Sequence, residues 1–393
     1  MSELLEKYDS WLMDGSNVGA VTLRQWLEPI EGKEAIIFPP TYAKPERMRD
    51  EDWSGYTIDR IDGFTVCQID SVGSQANRIE PIFLKKPYSA LVPQVIIKAT
   101  VDGKEKRINL LDAGHRAADA IVRFSTLGPQ FHDAFQAIQD RGDATLLAGL
   151  APTSLVFGAW DSRATQVKLP RVLRSVIRAF DVRELHRSAQ YSTLAGELLE
   201  GPDVEVTTKG VKAELGLAHV PSVMTHGGIQ VKGEIRRDAA LNLVAIRSLS
   251  AGSDNGSRTL ALRRYILGLA LVGLSADQEF SLREGCHLVP DKQRPAEWTI
   301  VLHDGTRQNA VLTHGEAIEY ATRTAKEFGV SQDATGEFDV LLARKMQEIP
   351  EKDRKALLRK GPVTMKAIEE LLKKGKTKGK TKEGIDASEG GKG

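Results

Sequence analysis

The sequence predicts an α+β fold, and three observations carry that reading. Alternating apolar stretches at 64–70 and 94–101 have the period of strands, as do two segments within 228–250 and a run at about 279–289. Residues 257–274 form a strongly apolar helical pattern. Strand-like Ser154–Trp160, a helix beginning near Pro170, the two strands broken near Asp238, that apolar helix and the run at 279–289 follow in order. With the strand at 64–70, and with intervening pieces treated as insertions, they approximate β-α-β-β-α-β, the order of a ferredoxin-like or RNA-recognition sheet.

Along the chain, Leu4, Leu5, Tyr8, Trp11 and Leu12 recur at helical spacing behind Ser2, an N-cap residue, which predicts a helix over 2–12. Periodicity is lost over 14–60. Pro29, Pro39, Pro40 and Pro45 punctuate that stretch, which reads as a partner-contacting arm. Phe64, Val66 and Gln68 alternate with Thr65, Cys67 and Ile69 as a strand, and the small polar residues of Asp70–Arg78 read as a loop. The strand at 94–101 meets an Asp102-Gly103 turn. A helix follows through Leu110, Leu111, Ala118, Ile121 and Val122, then another through Phe131, Ala134, Phe135 and Ile138. Trp298, Ile300 and Leu302 mark a strand ending in Asp304-Gly305, and 315–328 and 337–347 are helical. The lysine-rich end is low-complexity and expected to be disordered. No internal repeat is visible.

The 393 residues are 41% hydrophobic, ample for a buried core, and 54 Lys and Arg against 53 Asp and Glu leave a net charge of +1. Bulk polycation binding of nucleic acid is thereby excluded. Residues 373–393 carry seven lysines against Glu383, Asp386 and Glu389, so residues 1–372 stand at −3. The tail reads first as solubilising, with weak phosphate contact as the alternative. Two cysteines, Cys67 and Cys286, cannot build a disulfide framework or a multi-cysteine zinc site, which fits a cytoplasmic location. No membrane span or signal segment is predicted, since the longest strongly apolar run, Tyr265 to Leu274, falls well short of about 20 residues.

The sharpest local feature is the predicted helix from Pro170 to Phe180. At helical spacing Arg171, Arg174 and Arg178 share one face, and Leu173, Val176, Ile177 and Phe180 take the other. Between Trp160 and Tyr191, Arg163, Lys168, Arg171, Arg174, Arg178, Arg183 and Arg187 face only three acidic residues. Clustered arginines repel unless an anion relieves them, and the guanidinium fork grips phosphate bidentately; acidic tertiary partners are the alternative. The loop offers Ser71, Ser74, Gln75, Asn77 and Arg78, hydrogen-bonders suited to a sugar-phosphate chain, although a polar turn would look the same. His226-Gly227-Gly228 opens the strands bearing Lys232, Arg236 and Arg237, as a hinge or as plain turn chemistry.

A catalytic constellation is not found. The sequence lacks a G-x-x-x-x-G-K-[ST] loop, a G-x-S-x-G elbow, an H-E-x-x-H pair and a post-strand G-x-G-x-x-G. Cys286 and His287 would point to opposite faces of a strand. His115 lies on the apolar side of its helix and reads as a core histidine, and His303 and His314 lack ligands at metal spacing. No catalytic residue, metal or cofactor is assigned.

Four segments carry a family likeness: Phe38-Pro-Pro-Thr-Tyr-Ala43; Ile69-Asp-Ser-Val-Gly-Ser-Gln-Ala-Asn-Arg-Ile-Glu-Pro81; Leu111-Asp-Ala-Gly-His-Arg-Ala-Ala-Asp-Ala120; and Ser154-Leu-Val-Phe-Gly-Ala-Trp-Asp-Ser-Arg163, continuing through Lys168-Leu-Pro-Arg171 to Arg187-Ser-Ala-Gln-Tyr191. A fainter match runs through Gly227–Arg237. Over roughly 20–300 the sequence resembles the backbone-forming RAMP subunit of type I CRISPR interference (Cascade) complexes, in the subtype called I-G (formerly I-U).

The resemblance implies an RNA-recognition-like palm with an inserted helical fingers region and a thumb hairpin, polymerising along a guide RNA. On this chain that gives an arm and helix at 1–60 and a palm at 61–300, with fingers at about 85–150 and a thumb at about 200–237. A C-terminal strand and helices at 301–350 and a basic, disordered tail at 351–393 complete it. The implied RNA-binding residues are Ser71, Ser74, Gln75, Asn77, Arg78, Arg163, Lys168, Arg171, Arg174, Arg178, Lys232 and Arg236. Expected partners are guide (CRISPR) RNA, target DNA through the RNA heteroduplex, further copies of the chain, and the large and RNA-end-capping or processing subunits. The leading expectation is a non-catalytic filament subunit of an antiviral complex. Its rival is a metal-independent endoribonuclease processing guide RNA with His226 or His186. A protein-binding scaffold with no nucleic acid is the third.

Overall fold

The computed structural model of the protein describes residues 3–49, 53–253 and 256–371; Ser2 and the lysine-rich tail lie outside them. The strands in chain order are β1 (Val18–Pro29), β2 (Ile36–Ile37), β3 (Ile58–Ile61), β4 (Phe64–Asp70), β5 (Val95–Val101), β6 (Lys104–Asn109), β7 (Leu173–Phe180), β8 (Val182–Tyr191), β9 (Val220–Val231), β10 (Ile235–Asn242), β11 (Phe280–Arg283), β12 (Cys286–Pro290), β13 (Glu297–Leu302), β14 (Arg307–Asn309) and β15 (Ala334–Glu337). Nine of them form an antiparallel sheet in the order β11-β12-β1-β10-β7-β4-β3, with β13 also on β1 and β14 on β13. Two three-stranded sheets, β15-β5-β6 and β2-β9-β8, flank it.

The helices are α1 (Glu3–Leu12), α2 (Val72–Ile79), α3 (Ala120–Arg123), α4 (Gly128–Arg141), α5 (Thr145–Leu150), α6 (Thr153–Phe157), α7 (Leu194–Glu200), α8 (Val211–Glu214), α9 (Leu243–Arg247), α10 (Gly256–Ser275), α11 (His314–Phe328), α12 (Val340–Glu348) and α13 (Glu351–Lys360). Helix α10 is apolar on all sides because it runs through the main core, with Leu262 through Leu274 buried except for Arg263 and Arg264 at its margin. Gly268 lets α11 approach it closely, since a Cβ there would lie 2.7 Å from Thr324 Oγ1 and 2.8 Å from the Ala321 Cα. No helix among the described residues is long and apolar enough to cross a membrane.

Strand-helix-strand-strand-helix-strand order is present, but its members differ from those expected. The first strand is β1, inside the stretch read as an arm. Val21 and Leu23 are buried while Thr22 and Arg24 face out, and β1 pairs with β10, β12 and β13. The clustered prolines Pro39, Pro40 and Pro45 follow β2 and do not interrupt it. Helix α2 follows the edge pair β3–β4, β7 and β10 are the next two sheet strands, and α10 leads to β12.

Several other elements change type. Ser154–Trp160 is not a strand: 153–157 is helix α6, and every residue of it is buried, so an apolar run carries no period to separate the two. Pro170–Phe180 is not a helix: 173–180 is strand β7, central in the sheet, and Val176 and Phe180 stand between and beside the arginines on its open face, which hides its alternation. Asp70–Arg78 is not a loop: 72–79 is helix α2, whose N-cap Ser71 accepts a hydrogen bond from the Ser74 amide at 3.1 Å. The single helix expected over 110–122 is two 3-10 turns followed by α3, because Asn109 and Asp119 each cap a fresh turn. His115 there is exposed and not a core residue.

The break in 228–250 falls at Lys232-Gly233, ahead of Asp238, and 279–289 is a hairpin of β11 and β12. Residues 351–360 are helical, with Leu357, Val363 and Ile368 buried, so the expected disordered tail cannot begin at 351. The 94–101 strand, the first helix over 3–12, the helix through Phe131–Ile138, the Trp298–Leu302 strand and the helix at 315–328 stand where their periodicity put them, while the helix expected at 337–347 starts only at Val340, after strand β15.

Candidate nucleic-acid interface

Strand period, not helix period, brings Arg174 and Arg178 onto one face. On β7 the odd residues Leu173, Ser175, Ile177 and Ala179 are buried against the core, while Arg174, Arg178 and Phe180 reach the opposite face. Register extends this face sideways. Arg178 pairs with Arg236, Val176 with Asp238 and Arg174 with Ala240; Trp26, Arg24 and Thr22 of β1 follow in the same rows, and Gln68 of β4 flanks Arg178. A shallow cleft of about 350 Å³ opens here, lined by Thr22, Arg24, Arg174, Asp238, Glu297 and Arg307 among others.

The cations on this face are not equivalent. Arg236 bonds Glu234 at 2.6 Å and Asp238 at 2.9 Å and lies over the Phe180 ring at 4.5 Å. Arg24 lies 3.6 Å from Asp238. Arg294 bonds Glu234 at 2.7 Å and covers the Trp26 ring, whose Nε1 also donates to Glu234. Partial burial works against ionisation of Glu234, yet the donors Trp26, Arg294 and Arg236 hold its carboxyl below the usual carboxylate range. The side chains of Arg174 and Arg178 have no ion pair or hydrogen bond among the described residues. Arg163 and Arg171 are likewise exposed and unpaired there, and Lys232 sits 3.7 Å from Glu34.

Beneath the face runs a polar relay. Arg237, only 2% exposed, donates to Ser175 Oγ at 3.0 Å, Ser175 donates to Gln75 Oε1 at 2.7 Å, and Gln75 donates to Asp70 at 2.7 Å. Burial pulls the Arg237 guanidinium down to about 10. Arg78 donates to the same Asp70 oxygen at 3.1 Å and to the Leu282 carbonyl at 2.7 Å. Asn77 accepts from Arg116 at 3.0 Å. So Gln75 and Arg78 brace α2 against the sheet, Ser71 caps the helix, Asn77 ties it to Arg116, and Ser74 is half-buried in the same helix.

The approach to β7 is a tied loop. Asp161 accepts from the Thr165 amide and hydroxyl, both at 2.9 Å, and from Arg123 at 3.1 Å. It presents Trp160, 58% exposed, with Lys168 Nζ 5.8 Å from the ring centroid, then Arg163 and Arg171. Trp160, Trp26, Arg24 and Arg307 were not singled out from sequence. The alternation Val21-Thr-Leu-Arg-Gln-Trp-Leu27 was the available signal for two of them.

Beyond β7 the chain makes the long β8–β9 ribbon, with residues 192–219 and helices α7 and α8 at its tip. Gly227 and Gly228 are neither hinge nor turn. They lie inside β9 where the register slips, and Gly228 has φ +89 with a Cβ site 2.8 Å from the Ile37 carbonyl oxygen, a bulge that admits β2. Leu194, Leu198, Leu199, Val211 and Leu215 at the tip are all exposed, Leu198 by 88%. His186 and His226 are direct cross-strand partners on the ribbon, and both are exposed. No group of three or more His, Cys, Asp or Glu among the described residues is placed to hold a metal ion.

Among curated proteins no match was found. A solved structure described as a CRISPR RNA-guided surveillance complex, pre-nicking, aligns with a TM-score of 0.32 at 10% identity, over 79% of this chain and 90% of that one. Residues 21–184 reach from β1 through the arginine strand into β8, and over that span the chain is similar to the family described as CRISPR-associated protein GSU0053.

Proposed function

We propose that the protein is the guide-RNA-binding, backbone-forming subunit of a CRISPR interference complex of subtype I-G. One observation carries this reading: Arg174 and Arg178 stand uncompensated on the open face of the central sheet while neighbouring Arg24 and Arg236 have carboxylate partners. Similarity over 21–184 to a CRISPR-associated family supports it. The nine-stranded sheet serves as the palm, the region at about 85–150 as fingers and the β8–β9 ribbon as thumb.

Arg174 and Arg178 hold RNA phosphates, with Lys168 and Arg171 continuing the track and Trp160 offering a ring for stacking. Gln75, Arg78 and Arg236 support the surface, because their polar groups are committed internally. The backbone is gripped and the bases stay free to pair with target DNA. The exposed leucines of the ribbon tip dock on a further copy, since contiguous apolar surface marks an interaction site. The large and RNA-end-capping subunits bind the ends of that array. The subunit itself is non-catalytic and works in the cytoplasm. With four cations on single-stranded RNA, log affinity should fall against log salt with a slope of about −2.8 per protomer. A slope near zero sinks the reading.

The cross-strand placement of His186 and His226 favours one alternative, a metal-independent endoribonuclease using the pair as acid and base. Cleavage of guide precursor in chelator, lost in His226→Ala, would establish it in place of the filament reading.

A further inference from the structure

The C-terminal helices α12 and α13 build a second cationic cleft away from the sheet face. They share a small core of their own, Leu342, Met346, Ile349, Leu357, Val363 and Ile368, packed on Phe124. The Asp339 amide donates to the Phe124 carbonyl at 2.8 Å, and the Asp339 side chain caps α12. This seats one face of α13, carrying Glu351, Arg354, Lys355, Leu358 and Arg359, across from Arg163. The intervening cleft has a volume of about 600 Å³.

Its lining holds five cations and one carboxylate. Arg123 is paired with Asp161 and Lys355 with Glu351. The side chains of Arg163, Arg354 and Arg359 have no ion pair or hydrogen bond among the described residues. Three uncompensated guanidinium groups around one cleft repel each other until an anion arrives. The apolar side chains of Phe124, Met346 and Leu358 also line it. Charge spread over so large a cleft, together with apolar lining, suits a chain of alternating phosphates and flat bases better than a free phosphate ion. The loop carrying Arg163 also carries Trp160 and Lys168 and leads through Arg171 to β7, so the two cationic surfaces are joined along the backbone.

We propose that this cleft holds the phosphodiester backbone of a single-stranded nucleic acid, as a site separate from the sheet face. The test uses the full-length chain and two fluorescein-labelled single-stranded probes of the same sequence, one DNA and one RNA. Neutralising the cleft with Arg163→Gln, Arg354→Gln and Arg359→Gln should weaken at least one probe by roughly tenfold or more and flatten its salt slope by about 2, with melting unchanged. The probe affected identifies the strand. Unchanged affinity and slope for both probes overturn the proposal. So does loss of binding to polyglutamate with both probes unaffected, which would assign the cleft to an acidic protein.

Should the triple variant not fold, photocrosslinking of the same probes to the wild-type chain gives the answer. Adducts within α12 and α13 support the site, and adducts confined to the sheet face and the 158–171 loop refute it. Arg174→Glu with Arg178→Glu, measured in parallel, keeps failure of the sheet reading distinct from failure of this one.

Discussion

Arg178 of β7 lies directly across from Arg236 of β10 on the open face of the sheet, and only Arg236 is neutralised. Like charges in facing positions destabilise a strand pair. Here the cost is limited by Glu234 and Asp238, which bind Arg236, and by Phe180, which lies beneath its guanidinium. Arg178 is left to act on something outside the chain. Arg178→Glu should therefore leave stability unchanged or raise it by up to about 1 kcal/mol, by creating a facing ion pair. The double variant Arg174→Glu with Arg178→Glu should emerge from purification without RNA, read as a fall in the ratio of absorbance at 260 to 280 nm.

Arg237, one residue on, behaves in the opposite way. Its side chain is buried in the Ser175, Gln75 and Asp70 relay. Arg237→Ala should cost about 2–3 kcal/mol by leaving buried groups unpartnered, while the folded fraction still carries RNA. Chemical denaturation followed by RNA quantification of the soluble protein checks both halves.

Leu194→Asp with Leu198→Asp alters only exposed side chains of the ribbon tip. Monomer stability should stay within about 0.5 kcal/mol. Association between copies should be lost, so sedimentation should show a single monomeric species where the wild type shows larger ones.

Burial pushes the Glu80 carboxyl up to about 7 from its ordinary 4.5, against the opposing pull of Arg116 at 2.6 Å. The folded state therefore binds the proton more tightly than the unfolded chain, and stability must fall as pH rises. Glu80 contributes most favourably below about 4.5, and that contribution declines as pH climbs through about 7. Glu80→Gln should flatten the dependence across that window, measured as denaturation midpoints at a series of pH values.

The longer amphipathic helices α1, α4 and α11 were legible in the sequence, and so was α10, whose apolar run is too long for a strand; the short α2, built of small polar residues, was not. The central strands were not. In β7 the open face mixes Val176 and Phe180 with the arginines, and arginines at 171, 174 and 178 happen to match a helical period as well as they match a strand carrying Arg174 and Arg178. β1 was hidden by Pro29 at its own end and by the prolines that follow it. At the candidate interface the arginine cluster was visible from charge alone, but which members are free is a tertiary property. Arg236 and Arg78 look no different in sequence from Arg174, and their partners Glu234, Asp238 and Asp70 are fixed only by register and packing.

The most direct test of the central claim is the mass and nucleic-acid content of the native assembly, measured by native mass spectrometry on protein purified without nuclease. An RNA-bound array of several copies is the predicted result. A monomer free of nucleic acid would contradict it.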